Sequence, residues 1–414
     1  MKKPTAAIAA LIASSAVSAQ SSLTLFGVVD AGVSHYSLKS SPYSRNPLRP
    51  PPLTMATSVR THQTALSTSG TNASRIGFRG TEDLGGGLAA HFWLESPLNI
   101  DTGTGMSNFS RRSTVSLSGP FGEFRFGRDL TATFLNDIGS DPFVTNGVGT
   151  NVVALVGAYL AMARGPGSTV SPMDNYVYTS NGISYFLPPN LGGFYGNVQY
   201  ALHENVRESG LPGSRSSKGR YMGARAGFSS GRLDISAAWG ESIAADKAAP
   251  TGGRATEKLR TMNVGGTYDF SFMKLWAELS RMEDRRTDGF TASRQRDIYN
   301  GGLIAVSAPV GPGVIKLAYS RVKFENGNRL AAAPFGDPDA SVSRLALGYV
   351  HNLSKRTALY ATVSKTQIRN GQNNPAVMGI RPGGSASYIS TGDGQVGFAP
   401  RSAMGYDFGM RVVF

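Results

Sequence analysis

The sequence predicts an all-β fold, a 16-stranded antiparallel β-barrel, on three observations. Apolar and polar residues alternate with a period of two along most of the chain, which is typical of strands with one apolar face. Short and long connections between these segments follow one another in turn. The chain has 51 glycines and no cysteine, which suits many tight turns and excludes a small disulfide-stapled domain.

The alternating segments number about 16 and are roughly ten residues long, the length that a tilted strand needs to cross a membrane. They run near 22–34, 73–83, 87–98, 110–119, 123–130, 174–187, 193–203, 218–229, 231–242, 257–269, 272–283, 294–307, 314–324, 341–352, 356–368 and 401–414. No stretch approaches the roughly 20 consecutive apolar residues that a membrane-spanning helix requires. We therefore expect strands, not helices, to cross the bilayer.

The connections predict which rim of the barrel each loop occupies. Short ones such as DLGGG (83–87) and GPFGE (119–123) are rich in turn-forming residues. The longest lie at 35–72, 131–173 and 369–400. Short periplasmic turns on one rim and long outer loops on the other are typical of a transmembrane barrel, whereas a soluble exported β-protein has no reason to separate them.

The amino-terminal segment MKKPTAAIAALIASSAVSAQ has the features of a secretory signal peptide: two lysines, a short apolar stretch and a small-residue cleavage site. We expect cleavage after Ala19, so that 1–19 is the signal peptide and 20–414 the barrel. The formal charge is +14 and remains strongly positive without the two lysines of the signal. The predicted location is the outer membrane of a Gram-negative bacterium.

The faces of the strands can be separated by their alternation. Phe194, Val198 and Tyr200 share one face, whereas Asn197 and Gln199 lie on the other. One face suits lipid, and the other is too polar for a packed core. About 16 strands enclose a lumen wide enough for an aqueous channel.

Several stretches resemble the general porins of Gram-negative bacteria, most closely the trimeric type of Burkholderia and Neisseria relatives. They are SSLTLFGVVDAGVSHY near the mature start, SRIGFRGTEDLGGGLAAHFWLES (74–96), SLSGPFGEFRFGRD (116–129) and the terminal phenylalanine. The resemblance implies a homotrimer that passes small hydrophilic solutes passively, without a cofactor. It also implies outer-membrane lipid and lipopolysaccharide as surroundings.

The resemblance also implies a role in assembly for the carboxyl terminus, GYDFGMRVVF. In such porins the last, aromatic strand is the signal that the outer-membrane assembly machinery reads. The residues implied here are Tyr406, Phe408 and Phe414. Phe414 is also expected at the periplasmic interface, where aromatic girdles occur.

The resemblance further implies that the third outer loop, here 131–173, folds into the lumen and narrows it. Asp137 and Asp141 are then expected to face the pore from this loop. Alternation along the opposite strands directs four arginines inward: Arg75, Arg79, Arg112 and Arg125. An excess of arginine over acid at a constriction predicts a preference for anions.

Alternatives remain for each of these residues. The arginines could instead be paired with lumen acids such as Asp30, Asp83 or Asp407 and simply hold the wall. Asp137 and Asp141 could instead lie in a solvated turn, since Asp141 precedes a proline. The apolar second half of the loop, 152–172, could narrow the pore or contact a neighbouring subunit.

Other functions are also open at this level, namely an outer-membrane barrel protease or phospholipase, or a substrate-specific channel. GFSSG (227–231) fits the G-x-S-x-G nucleophile elbow, but a hairpin is predicted there instead of the required strand–turn–helix. The histidines, at 35, 62, 91, 203 and 351, are scattered and give little support to a metal site. The basic charge is not clustered with aromatic residues on one element, so nucleic acid is not an expected partner.

Overall fold

The computed structural model describes residues 22–44, 57–162, 175–203, 217–248, 254–287, 294–325, 339–371, 389–390 and 396–414, together with residues 50 and 53. The predicted signal peptide and its cleavage site lie outside these residues, so this boundary stays a prediction. Among the described residues, no helix is long and apolar enough to cross a membrane.

The strands and helices are these: β1 Ser22–Ser44, β2 Val59–Thr68, β3 Arg75–Gly85, β4 Leu88–Pro97, β5 Arg112–Gly119, β6 Gly122–Leu130, α1 Ala132–Gly139, a 3₁₀ turn Gly147–Gly149, α2 Val152–Met162, β7 Tyr178–Phe186, β8 Phe194–Ala201, β9 Tyr221–Ser230, β10 Leu233–Ala248, β11 Arg254–Asp269, β12 Lys274–Thr287, β13 Arg294–Val310, β14 Gly313–Glu325, β15 Ala340–Asn352, β16 Thr357–Arg369, β17 Ile389–Ser390 and β18 Val396–Val413.

These strands occupy 16 positions around one closed antiparallel barrel, which confirms the predicted fold class. Two strands share one position, because β2 pairs with residues 31–40 of β1 and β3 pairs with residues 22–28. The two residues of β17 pair only with Gly397 and Phe398 of β18. The barrel closes where β1 pairs with β18 from Val28 to Ser44.

Several strands are longer than the sequence pattern predicts, and they lengthen at the long-loop rim. β1 continues to Ser44, β10 to Ala248 and β12 to Thr287, while β18 begins at Val396. Alternation marks a strand only where one face meets lipid. Beyond the bilayer both faces can be polar, so the ladder continues while the alternation that identifies it ends.

The outward face carries the apolar residues that the alternation assigns to it. Leu279, Val264 and Ile304 are 72%, 51% and 57% exposed, respectively, on neighbouring strands. Tyr268 and Phe270 pack edge-on, with their ring centroids 4.6 Å apart, at the short-turn rim. The barrel therefore presents an apolar band with aromatic residues at its edge, as a membrane barrel requires.

The break between β2 and β3 is held by a buried carboxylate. Asp30 of β1 accepts hydrogen bonds from the backbone N–H groups of Gly70 (3.1 Å), Thr71 (2.8 Å) and Asn72 (2.8 Å). The Tyr360 hydroxyl donates to the same carboxylate over 2.7 Å. Asp30 thus shapes this inner wall, and among the described residues it forms no ion pair with an arginine.

Candidate functional site

Residues 131–162, which follow β6, pack against the inner wall of the barrel. α1 contacts β8 to β11, the 3₁₀ turn contacts β15, β16 and β18, and α2 contacts β13 to β15. Thr131 caps α1, since its hydroxyl accepts from the N–H of Phe134 (3.2 Å). The ring of Phe134 packs edge-on against Tyr176, with the centroids 5.6 Å apart.

Side-chain amides join α1 to the wall. Asn263 of β11 donates to the carbonyl of Thr133 over 2.9 Å and to Asp137. Asn136 accepts from Arg225 of β9 over 3.1 Å and donates to Asn263 over 3.2 Å. These groups are buried and satisfy one another, which fixes the position of the helix.

Gly265 of β11 allows the close approach of α1. A Cβ atom at this position would lie 2.1 Å from the Ser140 Oγ at the end of the helix and 3.1 Å from the carbonyl oxygen of Ala277. Any larger residue would therefore displace the loop from the wall.

Asp137 lies in the interface between α1 and the wall and has only 1% of its surface exposed. The Tyr176 hydroxyl donates to it over 2.9 Å, Asn263 donates to its other oxygen, and Glu278 of β12 is buried beside it. Burial raises the pKa of Asp137 to about 6, against the opposing effect of these hydrogen bonds.

Asp141 is completely buried and organises the turn after α1. Its carboxylate accepts from the N–H groups of Phe143 (2.9 Å) and Thr145 (3.0 Å) and from the side chain of Asn151 (2.9 Å). Burial raises its pKa as well. Asp137 and Asp141 were both expected to face the pore, but the structure gives neither carboxylate open surface, because each is taken up in holding the loop.

The tip of the loop reaches the strands that close the barrel. Asp407 of β18 accepts from the N–H of Val148 over 2.6 Å and from the Ser34 hydroxyl over 2.5 Å. Lys316 donates to the carbonyl of Pro142 over 2.7 Å. Asp407, like Asp30, therefore holds backbone N–H groups in place, and neither carboxylate pairs with an arginine in the part of the chain that the structure describes.

α2, with which the apolar second half of the loop begins, lies against the inner wall. Val152, Val153, Val156 and Leu160 of α2 form one buried cluster with inward residues of β11 to β16, namely Leu259, Met282, Tyr299, Val322, Phe324, Ala340, Val342 and Ile368. Of the two paths left open by the sequence, α2 follows the one that fills part of the lumen; residues 163–174 lie outside the described residues.

The loop contacts described above involve other strands, so the inner face of β3 to β6 faces the lumen. Phe78, Val115, Phe124 and Phe126 of these strands are exposed on the outside. The four predicted arginines lie on the opposite, inward face: Arg75, Arg79, Arg112 and Arg125. The acid Glu95 lies on the same face and is the cross-strand neighbour of Arg112. Arg111 and Arg128 lie beside them.

Three carboxylates are interspersed among these six guanidinium groups. Glu95 accepts from Arg111 and lies 3.7 Å from Arg75. Asp129 lies 2.5 Å from Arg125 and 3.7 Å from Arg112. Glu123 also pairs with Arg125, over 3.0 Å.

Aromatic rings lie against several of these arginines. The Arg79 guanidinium lies 5.5 Å from the ring centre of Phe26 and 5.4 Å from that of Trp93. Arg112 approaches the Trp93 ring to 4.5 Å. Together with their neighbours these side chains line a concavity of about 330 Å³. Contact with the rings holds the guanidinium groups in place without neutralising their charge.

Sequence reasoning missed the acids and the aromatic support of this wall. The expected lumen acids were Asp30, Asp83 and Asp407, but Asp83 accepts from the N–H of Gly85 in the first short turn. The alternation that selected the arginines would also have selected Glu95 and Glu123, which occupy the same face. Asp129 follows a register shift after Gly127, so alternation could not have placed it.

The terminal strand carries its aromatic residues on the outside. Tyr406 and Phe408 are exposed there, together with Phe414. Phe414 exchanges two backbone hydrogen bonds with Gly27 of β1, of 3.0 and 3.1 Å, and its ring lies where a side chain on Gly27 would be. The last residue is thus part of the seam that closes the barrel.

The hydrolase-like motif GFSSG lies in the hairpin between β9 and β10, with a strand on each side. It therefore lacks the helix that a nucleophile elbow requires. Among the residues that the structure describes, no group of three potential metal ligands comes together.

Comparison with known proteins agrees with this architecture. Residues 5–371 match the family model described as Gram-negative porin. The chain is 36% identical to outer membrane porin protein 32 of Delftia acidovorans over 96% of this chain and 97% of that protein. It is 25% identical to an outer membrane porin protein of Bordetella pertussis, covering 92% of this chain and 99% of that protein.

Among solved structures, the anion-selective porin from Comamonas acidovorans superimposes with a TM-score of 0.67 at 30% identity, covering 95% of this chain and 100% of that one.

Proposed function

We propose that the constriction of this chain prefers anions. The chain belongs to the Gram-negative porin family, and it forms an outer-membrane channel for small solutes and is not an enzyme. The observation that carries the proposal is the inner wall of β3 to β6, where six guanidinium groups stand against three carboxylates. The similarity to an anion-selective porin supports it.

The loop between β6 and β7 contributes to this selectivity because two of its acidic side chains are buried. Its acids, Asp137 and Asp141, are buried, so they add little negative surface opposite the arginines. An entering anion meets the excess positive charge of the wall, whereas a cation meets carboxylates that are already paired. Selection then follows from pore width and field, with no covalent step and no cofactor.

We assign the positive electric field at the constriction to four arginines: Arg75, Arg79, Arg112 and Arg125. Arg79 contributes most per residue in this proposal, because aromatic rings hold it and, within the part of the chain that the structure describes, it forms no ion pair with a carboxylate. Arg125 contributes least, since it lies within ion-pair distance of both Glu123 and Asp129.

The proposal extends to the assembled protein. We assign a homotrimer as the functional unit, with the terminal strand and its residues Tyr406, Phe408 and Phe414 as the signal for the outer-membrane assembly machinery. Lipopolysaccharide of the outer leaflet is the proposed lipid partner. The exposed aromatic residues of β18 and its place in the seam with β1 support the role of the terminus.

The double variant Arg75→Gln/Arg79→Gln tests the assignment of the wall. Glu95 keeps Arg111, so no acid of the wall is left without a partner. The control, Lys355→Gln/Arg356→Gln, removes the same charge from an exposed turn at the short-turn rim. Under a salt gradient, the reversal potential of the wall variant should move towards zero while that of the control stays unchanged. Equal reversal potentials for both would refute the assignment.

A further inference from the structure

An apolar groove of about 900 Å³ crosses the outside of the barrel from β7 to β12. Its floor is formed by small outward residues, among them Ala226 and Ala237, which pair directly across β9 and β10. Larger side chains flank it, with Tyr185 and Val198 on one side and Leu279 on the other. The groove is thus a concave strip within the band that faces lipid.

The cross-strand rows show what lies above this groove. One row, read from β9 to β12, is Ala226, Ala237, Val264 and Leu279. The next row towards the long-loop rim contains Trp239 and Met262 and ends in Arg281. Successive rows are about 7 Å apart along a strand. The lining of the groove therefore changes from apolar to cationic within one row.

Above it, five outward cations surround two acids, a set that we name the outer cationic cluster: Lys258, Arg260, Arg281, Arg285 and Arg296 with Glu241 and Glu283. Arg281, Arg285 and Arg296 all converge on the Glu283 carboxylate. Arg260 and Lys258 share Glu241, over 2.7 and 3.6 Å.

The cluster keeps unused capacity for an anion. Two carboxylates cannot neutralise five cations, and the five side chains retain between 27% and 50% of their exposed surface. Guanidinium groups recognise phosphate through paired N–H donors, and several of them converging make a phosphate site. A cluster of guanidinium groups at a membrane interface therefore suits the phosphorylated head group of a lipid.

We propose that the outer cationic cluster and the groove beneath it bind one lipopolysaccharide molecule through its lipid A part, with phosphate on the arginines and an acyl chain along the alanine floor. The cluster lies at the long-loop rim, which faces the outer leaflet in a porin. This leaflet position favours lipid A over a glycerophospholipid. The inference rests on the proposal that lipopolysaccharide is a partner, and it names the site.

The test measures binding to the detergent-purified, delipidated protein by native mass spectrometry. The probes are a synthetic bisphosphorylated lipid A, the same lipid without phosphate, and phosphatidylglycerol. The first variant is Arg281→Gln/Glu283→Gln/Arg285→Gln/Arg296→Gln, in which Glu283 is replaced so that no buried carboxylate loses its partners. The Lys355→Gln/Arg356→Gln control removes the same net charge from the opposite rim.

A second variant, Ala226→Phe/Ala237→Phe, fills the groove and leaves every charge in place. Its control is Ala361→Phe, on the exposed outer face of β16. We expect the affinity of the cluster variant for bisphosphorylated lipid A to fall by at least about ten-fold, since the variant loses several charge-assisted hydrogen bonds. The groove variant should weaken both forms of lipid A, and the two controls should bind like the unmodified protein.

The remaining outcomes separate the site from the partner. If the unmodified protein binds no lipid A, the partner proposal fails together with the site. If it binds lipid A and the cluster variant binds equally well, the site alone is refuted. Equal affinity for phosphatidylglycerol would overturn the choice of a glycolipid. Dissociation of subunits in the cluster variant would show that this face is a protein contact instead.

Discussion

The buried carboxyl of Asp137 should make the docking of α1 depend on pH. Its pKa is raised from 3.8 to about 6 because it is buried between the helix and the wall. A raised carboxyl pKa favours the protonated form in the docked loop. The resulting stabilisation is complete below the ordinary pKa and is lost as the pH rises through about 6.

The size of this effect follows from the shift. A shift of about two pKa units corresponds to ~3 kcal/mol, or roughly a hundred-fold change in the docking equilibrium. Asp137→Asn keeps the shape of the side chain and its acceptor for the Tyr176 hydroxyl, but it does not ionise. Between pH 4 and pH 7.5 the variant should therefore lose less of the docking of α1 than the unmodified protein does.

Hydrogen exchange of the amides of residues 132–139, corrected for the intrinsic dependence of exchange on pH, measures this directly. In the unmodified protein, protection should fall by up to about a hundred-fold between pH 4 and pH 7. Protection should fall much less in Asp137→Asn, in which Glu278, buried beside position 137, can still ionise. Asp269→Asn, in an exposed turn, serves as the control and should behave like the unmodified protein. Identical pH profiles for Asp137→Asn and the unmodified protein would refute the reasoning.

Three further variants test other parts of the account. Gly265→Val should lift α1 from the wall, because its Cβ would lie 2.1 Å from Ser140 Oγ, and should raise single-channel conductance; an unchanged conductance would contradict the close packing. Val156→Asp places a charge in a fully buried site of α2, at a cost of several kcal/mol, and should increase current noise; a steady current would argue against the docking of α2. Phe414→Ser should lower the yield of folded protein in the outer membrane, whereas Phe272→Ser, another exposed aromatic, should not; equal yields would remove the special role of the terminus.

The barrel could be predicted because each membrane strand carries its own signal. Lipid demands an apolar residue at every second position, and turns between adjacent strands demand glycine, proline or asparagine, so strand number and rim assignment are both local properties. The same alternation placed Arg75, Arg79, Arg112 and Arg125 on the inward face, because it needs no knowledge of distant contacts.

The loop could not be predicted to the same depth, because its structure depends on contacts far apart in sequence. Asp137 is joined to Asn263, 126 positions away, and Asp407 to Val148, 259 positions away. Neither pairing leaves a local pattern. An acid on an inward loop was therefore expected to face water, whereas packing against the wall buried it.

The reversal potential of the purified, unmodified protein in a planar bilayer under a salt gradient tests the central claim most directly. The account predicts steps of conductance with a reversal potential of the sign that marks anion preference. A reversal potential of the opposite sign would keep the channel but contradict a basic wall as the source of its selectivity.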